Sequence, residues 1–341
     1  MEHYAGLDVS LELTSVCIVD AQGGIVHETK VPSEPEALVR YFTMSKLSIT
    51  HIALEAGPLS QWIHAGLVAA GFETVLLETR HVKAALSAMT VKTDRRDARG
   101  IAQLLRLGWY RPVHAKSVGG QEVRSLLTAR KLMQAKLLDV ECSIRGVLRG
   151  FGLKVGPTSR GRFAMRVAEL VESSRPSLAR CSPPGLRSRP SSSASIVRCF
   201  SLVRDDPVCR QLMSVPGVGA IVAITFKSGV DDPSRFKHSR DVGPHFGLTP
   251  RKYQSGELNV TGSITKVGDR MVHTALCEAA SAMLTRTVRF SGLKAWAMAV
   301  AKRRGTRKAR VALARKLGVV LHRTWIDGSS FRWSNAETAI A

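Results

Sequence analysis

Asp94 and Asp97 stand three positions apart in TVKTDRRDARGIAQLL, residues 90 to 105, beside Arg95, Arg96 and Arg99. Residues i and i+3 share a helix face, so both carboxylates can enter one site. Two more acids fall where strands would deliver them. Asp8 lies in YAGLDVS between Leu7 and Val9, and Glu55 closes the apolar run in ITHIALEAG. An acid set in an apolar strand needs a partner or a metal. Carboxylates converging from strand ends and a helix repel one another unless hard cations bridge them. Mg²⁺ or Mn²⁺ accepts such oxygens, and two ions about 3.5–4 Å apart can clamp a phosphodiester. Singly, each acid has a plainer explanation. Asp94 fits a cap or dipole partner, Asp97 a partner for a nearby arginine, and Glu55 a solvated strand end.

A second stretch with chemistry is HFGLTPRKYQSGELNVTGSITKVGDRMVHTALCEAA, residues 245 to 280. Ser255 precedes Gly256 in a polar turn, and Arg251, Lys252, Lys266 and Arg270 surround it in sequence. Such cations can stabilise charge developing on an attacked phosphate. Serine is a weak nucleophile and needs activation. On chemistry alone Ser255 reads first as a turn serine among phosphate-binding basics, and Ser263 and Thr265 are equally available hydroxyls. Upstream, CRQLMSVPGVGAIVAITFKSG sets Pro216, Gly217 and Gly219 between two helical patterns. That is a helix-hairpin-helix layout, whose turn offers backbone N–H groups to a phosphate.

These groups need a scaffold. Residues 4 to 31 read as consecutive antiparallel strands around a Gly-Gly turn. Helical patterns at 34–46 and 59–70 then alternate with strands at 49–57 and 72–78, which predicts an α/β domain with a mixed sheet. A further helix opens at Asp94, with Ile101, Leu104 and Leu105 as its apolar stripe. Residues 118 to 150 form a long helix too polar for a core, suited to an arm or half of a coiled coil. The segment 173 to 195, SSRPSLARCSPPGLRSRPSSSAS, is rich in Ser, Pro and Arg without periodicity. It reads either as a flexible basic linker or as frameshift damage to a helical arm. The organisation is therefore 1–115, 116–204 and 205–341. The last part ends in a basic helix pair, 293 to 328, where Arg303 and Arg304 of KRRG, with Arg307, Lys308 and Arg310, face nucleic-acid backbone. Its other side covers Trp296, Met298, Val300 and Leu313. Trp325, Phe331 and Trp333 read as tail-docking aromatics ahead of base-stacking ones.

The totals agree with a polyanionic partner. Lys and Arg number 50 against 27 Asp and Glu among 341 residues, a formal charge of +23. Nucleic acid is the commonest partner for so broad a positive field. No stretch is long and apolar enough to span a bilayer, so a membrane partner is not expected. The six cysteines are dispersed without a CxxC pair, against zinc clusters and a disulfide framework. An intracellular protein is expected.

YAGLDVS, IALEAG, KTDRRDA, PGVG, and GLTPRKYQSGE with GSITKVGDR occur in that order. In these phrases, over nearly its whole length, the chain resembles the insertion sequence 110 family of transposases, DEDD-type recombinases of bacterial mobile elements. The resemblance implies a RuvC-like (RNase H-type) N-terminal domain, a helical arm or coiled coil, and a mainly helical C-terminal transposase domain. It implies that Asp8, Glu55, Asp94 and Asp97 bind divalent cations, Mg²⁺ or Mn²⁺. It places the family's nucleophilic serine at Ser255, which would cleave and rejoin DNA through a covalent 5′-phosphoserine link. It implies donor and target DNA, an element-encoded noncoding guide RNA, and a homo-oligomer, dimer or tetramer, in the bacterial cytoplasm at the nucleoid.

Two features depart from the family. The irregular 173–195 segment stands where a helical arm continues, and His273 stands where an arginine is expected, weakening a phosphate contact when neutral. Two other functions compete. One is a metal-dependent, structure-selective DNA nuclease resembling Holliday-junction resolvases, in which Ser255 only binds phosphate. The other is an inactive, nucleic-acid-binding transposase remnant.

Overall fold

The computed structural model describes residues 2–87, 93–173, 203–265, 267–289 and 291–333. They form two compact units, Met1–Lys116 and Ser117–Ala341.

The first unit is built on a five-stranded sheet of β1 (His3–Val9), β2 (Leu13–Asp20), β3 (Ile25–Pro32), β4 (Ile49–Glu55) and β5 (Thr74–Leu77), in the order β3-β2-β1-β4-β5. β1 and β2 pair antiparallel, as do β2 and β3, whereas β4 runs parallel to both β1 and β5. Three meandering strands followed by parallel strands separated by helices give the mixed sheet expected from the sequence. α1 (Pro35–Met44) and α2 (Ser60–Ala69) cover one face. There Ala5, Leu7, Val16 and Ile18 pack with Leu38, Phe42, Ile63 and Leu67. The short α3 (Thr79–Leu86) has no counterpart in the sequence expectation, since Val82 is its one fully buried residue and its apolar stripe is thin.

α4 (Asp94–Arg106) covers the other face. Thr93 caps it, its hydroxyl accepting from the Arg96 amide at 3.3 Å. Ala98, Gly100, Ile101, Ala102, Leu104 and Leu105 are buried. The helix sits unusually close to the sheet because Gly6 has no side chain. A Cβ there would lie 2.3 Å from both the Ala98 carbonyl oxygen and the Ala102 amide nitrogen. At the other end of α4, Gln103 donates to the Gly23 carbonyl at 2.7 Å and Arg106 to the Ala21 carbonyl at 3.2 Å. Gly23 belongs to the β2–β3 turn, near the start of β1, so α4 runs antiparallel to β1. Its N-terminus therefore lies toward the C-terminal end of that strand.

The second unit is mainly helical. α5 (Val118–Gly150) is a 33-residue rod in which only Leu127, Ile144 and Leu148 are buried. Leu127 joins the main core, whereas Ile144 and Leu148 form a small separate core with Val155, Phe163 and Val167 at α6 (Arg160–Ser173). Of the irregular 173–195 segment, only Ser173 falls within the described residues. α7 (Pro207–Leu212), α8 (Ala220–Val230), the one-turn α9 (Val242–His245) and α10 (Arg270–Thr285) build the main core with α11 (Gly292–Arg304) and α12 (Thr306–Asp327). α11 and α12 are the basic pair expected from the sequence, joined at Gly305 with φ +83°.

Residues 250 to 264 depart from the loose polar turns expected there. They form a two-stranded hairpin, β6 (Pro250–Ser255) and β7 (Leu258–Ile264), almost wholly exposed. Cross-strand pairing sets Tyr253 opposite Val260, both of good strand propensity, beside the pair of Lys252 with Thr261.

Candidate functional site

Strand alternation decides which acids share a face. Gly6 and Asp8 are two apart on β1, so both point toward the side covered by α4. In the parallel pair Leu7 lies opposite Leu54, which puts Glu55 beside Asp8 one position further on. On the other flank Ser15 pairs with Asp8, and Lys30 with Ser15. Lys30, Ser15, Asp8 and Glu55 thus make one row across four strands. Asp94 and Asp97 enter from the first turn of α4, and Asp94 receives the Lys30 ammonium at 3.7 Å. Asp8, Glu55 and Asp97 are half-buried, and Asp94 is exposed.

The donors fit a hard divalent cation by their chemistry, being carboxylate oxygens supplied by two strands and a helix. Among the described residues, however, no three acidic, histidine or cysteine side chains close into a group that could hold a metal ion. Sheet and helix bring the four acids to one end, but Lys30 is the cation that meets Asp94.

Two arginines near the start of α4, Arg95 and Arg99, share one acid. Arg95 donates to Glu28 on β3 at 2.6 Å, and Arg99 grips the same carboxylate with a second bond at 2.7 Å. Led by the hydrogen bond from Arg99, these contacts hold the Glu28 carboxyl down at about 2. Arg95 therefore anchors α4 to the sheet while its outer surface stays open. Beneath this anchor, burial pushes the Cys17 thiol up to about 12, leaving it an inert part of the core. Glu28 and Lys30 were not foreseen as site neighbours, because nothing in IVHETKV shows which face lies under α4. Gly6 did carry a signal: a glycine inside an apolar strand marks a close backbone approach.

In the second unit the expected phosphate ligands lie apart in role. Ser255 ends β6 at a two-residue turn, exposed, with Gly256 at φ +55°. Arg251 and Lys252 are exposed on the same strand, and Arg270 is exposed at the start of α10. Lys266 lies outside the described residues. Gly217, at φ +82°, fits against α10, where a Cβ would meet the Ala279 carbonyl oxygen at 2.4 Å. Gly219 is exposed at the N-cap of α8 without a side-chain cap. Of the two turn glycines, one packs and the other presents backbone to solvent. His273 hydrogen-bonds the Phe246 carbonyl at 3.0 Å, so its ring ties α10 to the end of α9. Arg303 and Arg304 are exposed in the last turn of α11. Trp325 and Phe331 pack on the core, and Arg289 lies 4.3 Å over the ring of Trp333. The aromatic tail is thus docked on its own unit.

Two family models match the chain in order. Residues 5–152 match the DEDD transposase model of the IS110 type, and residues 209–294 match the model described as Transposase IS116/IS110/IS902 family. The chain is 28% identical over 329 residues to the transposase for insertion sequence element IS1111A of Coxiella burnetii, covering 91% of this chain and 86% of that one. It is 27% identical over 327 residues to a probable family 20 transposase of Pseudomonas aeruginosa, covering 93% and 94%. Among solved structures, T. thermophilus RuvC in complex with a Holliday junction substrate is similar over 33% of this chain and 100% of that chain, at 15% identity and TM-score 0.26.

These findings correct the expectation of a covalent 5′-phosphoserine link. The N-terminal match is to a DEDD-type transposase, and it falls on the sheet unit that carries the four acids. Sites of that kind direct metal-assisted chemistry at phosphodiesters. Ser255 belongs to the other unit, and among the described residues no side chain hydrogen-bonds its exposed hydroxyl to activate it. The metal-dependent nuclease reading, second in the sequence, is the better supported one. Family membership implies catalytic transposase activity and a DEDD-type metal-binding site. Among the described residues no helix is long and apolar enough to cross a membrane. The chain belongs to the IS110/IS1111 family of bacterial transposases.

Proposed function

We propose that this transposase cuts DNA strands by metal-dependent chemistry at Asp8, Glu55, Asp94 and Asp97, acting on branched DNA in the manner of a structure-selective nuclease. One observation carries the reading: β1, β4 and the N-terminus of α4 deliver all four acids to the same end of one sheet. A divalent cation, Mg²⁺ or Mn²⁺, held there supplies charge stabilisation to the phosphate and acidifies water. Asp8 and Glu55, fixed by the strand ladder, provide the rigid half of the donor set. Asp94 and Asp97 provide the half whose approach α4 controls, and a cation held there would compete with the Lys30 ammonium, which lies 3.7 Å from Asp94. Arg251, Lys252, Arg270 and Lys266, the backbone at Gly219, and Ser255 as a hydroxyl donor bind phosphates.

The finer assignments rest on the same features. The charge of +23 supports donor and target DNA and a structured RNA as partners at the nucleoid. Leu132, Met133 and Leu138, exposed along α5, support self-association into a dimer or tetramer. The test is cleavage of labelled four-way-junction and linear duplex DNA by the full chain with Mg²⁺. Junction cutting that disappears with EDTA and with Asp8→Asn supports the reading. Cutting that survives both refutes it.

A further inference from the structure

An open groove of about 1180 Å³ runs through the second unit between β7 and the α11–α12 pair. Its floor and one wall are apolar, formed by Leu248, Leu293, Trp296, Val311, Val319 and Val320. Its cations are Arg240, Arg304, Arg307, Lys308, Arg315 and Lys316, and among the described residues no acid lines it. Lys316 lies 4.0 Å over the ring of Trp296, so one aromatic wall already carries a cation on its face.

The geometry points to this groove as a binding site for a segment of single-stranded DNA. The inference rests on the DNA reading above and deepens it. Charge complementarity requires an anionic occupant, and the apolar floor requires one that also offers apolar faces. A duplex shows its phosphates but keeps its base faces stacked inside, so it satisfies the rim and leaves the floor empty. An unpaired strand satisfies both, with bases against Trp296 and the aliphatic floor and phosphates on the arginines and lysines. The volume exceeds the roughly 300–1,000 Å³ usual for a small-molecule pocket, as a polymer segment needs. DNA is favoured over RNA because the strand cutting proposed above makes unpaired DNA strands the occupant at hand, and the oligo-U competitor below tests the 2′-hydroxyl directly.

The path out of the groove follows the hairpin. Thr261, Gly262, Ser263 and Ile264 form its β7 wall, and Lys252 pairs with Thr261 on the neighbouring strand. A strand leaving along β6 and β7 meets Arg251 and Lys252 before it reaches the turn at Ser255. Lys316 moves from the Trp296 ring to a phosphate when a base takes its place.

The experiment is binding of labelled oligo-dT to the full chain in EDTA, so that no cleavage intervenes, with unlabelled duplex DNA and oligo-U of equal length as competitors. Oligo-dT is expected to bind at least about tenfold tighter than duplex, and to quench the part of the tryptophan fluorescence that Trp296→Phe removes. Arg307→Gln with Lys308→Gln is expected to lower the single-strand salt slope by about 1.4. Lys316→Gln, at an exposed position, tests the aromatic wall without disturbing the core and is expected to weaken oligo-dT binding more than duplex binding. Equal competition by duplex, or a slope unchanged by the rim variants, overturns the inference while leaving metal-dependent cutting intact. Preference for oligo-U overturns the assignment to DNA. Failure to bind any DNA overturns this inference and the DNA reading together.

Discussion

Glu55 stands beside Asp8 at the C-terminal ends of the parallel strands β4 and β1, one position beyond the pairing of Leu54 with Leu7. Neighbouring carboxylates on one face repel unless a cation lies between them. Asp8→Asn and Glu55→Gln should each remove Mg²⁺-dependent DNA cutting while leaving the thermal unfolding midpoint nearly unchanged. Loss of a mere supporting partner in a metal site costs about 10–100-fold in affinity or activity, so loss of a ligand should cost at least that. Cutting rates and circular dichroism melts of the same preparations make the check. Full activity in either variant would remove that residue from the site.

Glu28 joins α4 to the sheet through Arg99 and Arg95, and its carboxyl is held at about 2 against an ordinary value near 4.5. A carboxylate with a depressed folded value contributes stability that is present above the unfolded value and lost as pH falls through the folded one. Stability should therefore decline between about pH 4.5 and 2 with a contribution that Glu28→Gln abolishes. Urea melts across that range measure it, and an unchanged acid slope in Glu28→Gln would contradict the account.

Gly6 lets α4 rest on β1. Gly6→Ala places a methyl group 2.3 Å from two backbone atoms of that helix, which cannot yield as a flexible side chain does. Overpacking of this kind costs about 1–3 kcal/mol. The melt should drop accordingly, and DNA cutting should fall further than the melt accounts for, because Asp94 and Asp97 move with α4. A Gly6→Ala protein of full activity would show that the helix position does not govern the site.

Ser255→Ala should retain strand cutting, with DNA affinity reduced several-fold at most, as suits a hydroxyl that only donates to a phosphate. No denaturation-resistant protein–DNA adduct should form with either protein. Gel analysis under denaturing conditions decides it, and an adduct dependent on Ser255 would reverse the correction made above.

Lys30 meets Asp94 across 3.7 Å at a largely exposed pair, so its contribution to stability is small. Lys30→Met should leave the melt in place and lower the Mg²⁺ concentration needed for half-maximal cutting, since a metal no longer competes with the ammonium. A higher metal requirement would show that Lys30 assists the site.

Local sequence determined much of this protein. The apolar runs around Asp8 and Glu55 specify strands, Thr93 and the stripe of Ile101, Leu104 and Leu105 specify α4, and Gly305 between basic periodic segments specifies the last helix pair. The residue types and their order were enough to nominate the four acids, because strand ends and helix starts follow from short-range pattern. Tertiary structure decided which groups meet. Only the ladder from β3 to β4 sets Lys30, Ser15, Asp8 and Glu55 in one row, since pairing register relates residues far apart in the chain. Only packing of α4 on the sheet at Gly6 brings Arg95 and Arg99 to Glu28, and only packing against α10 separates Gly217, which meets Ala279, from Gly219, which faces solvent. The groove beside Trp296 is likewise made by segments far apart in the chain that no local period connects. Periodicity tells a residue which side of its own element it occupies, and the partner across that side is chosen by the fold.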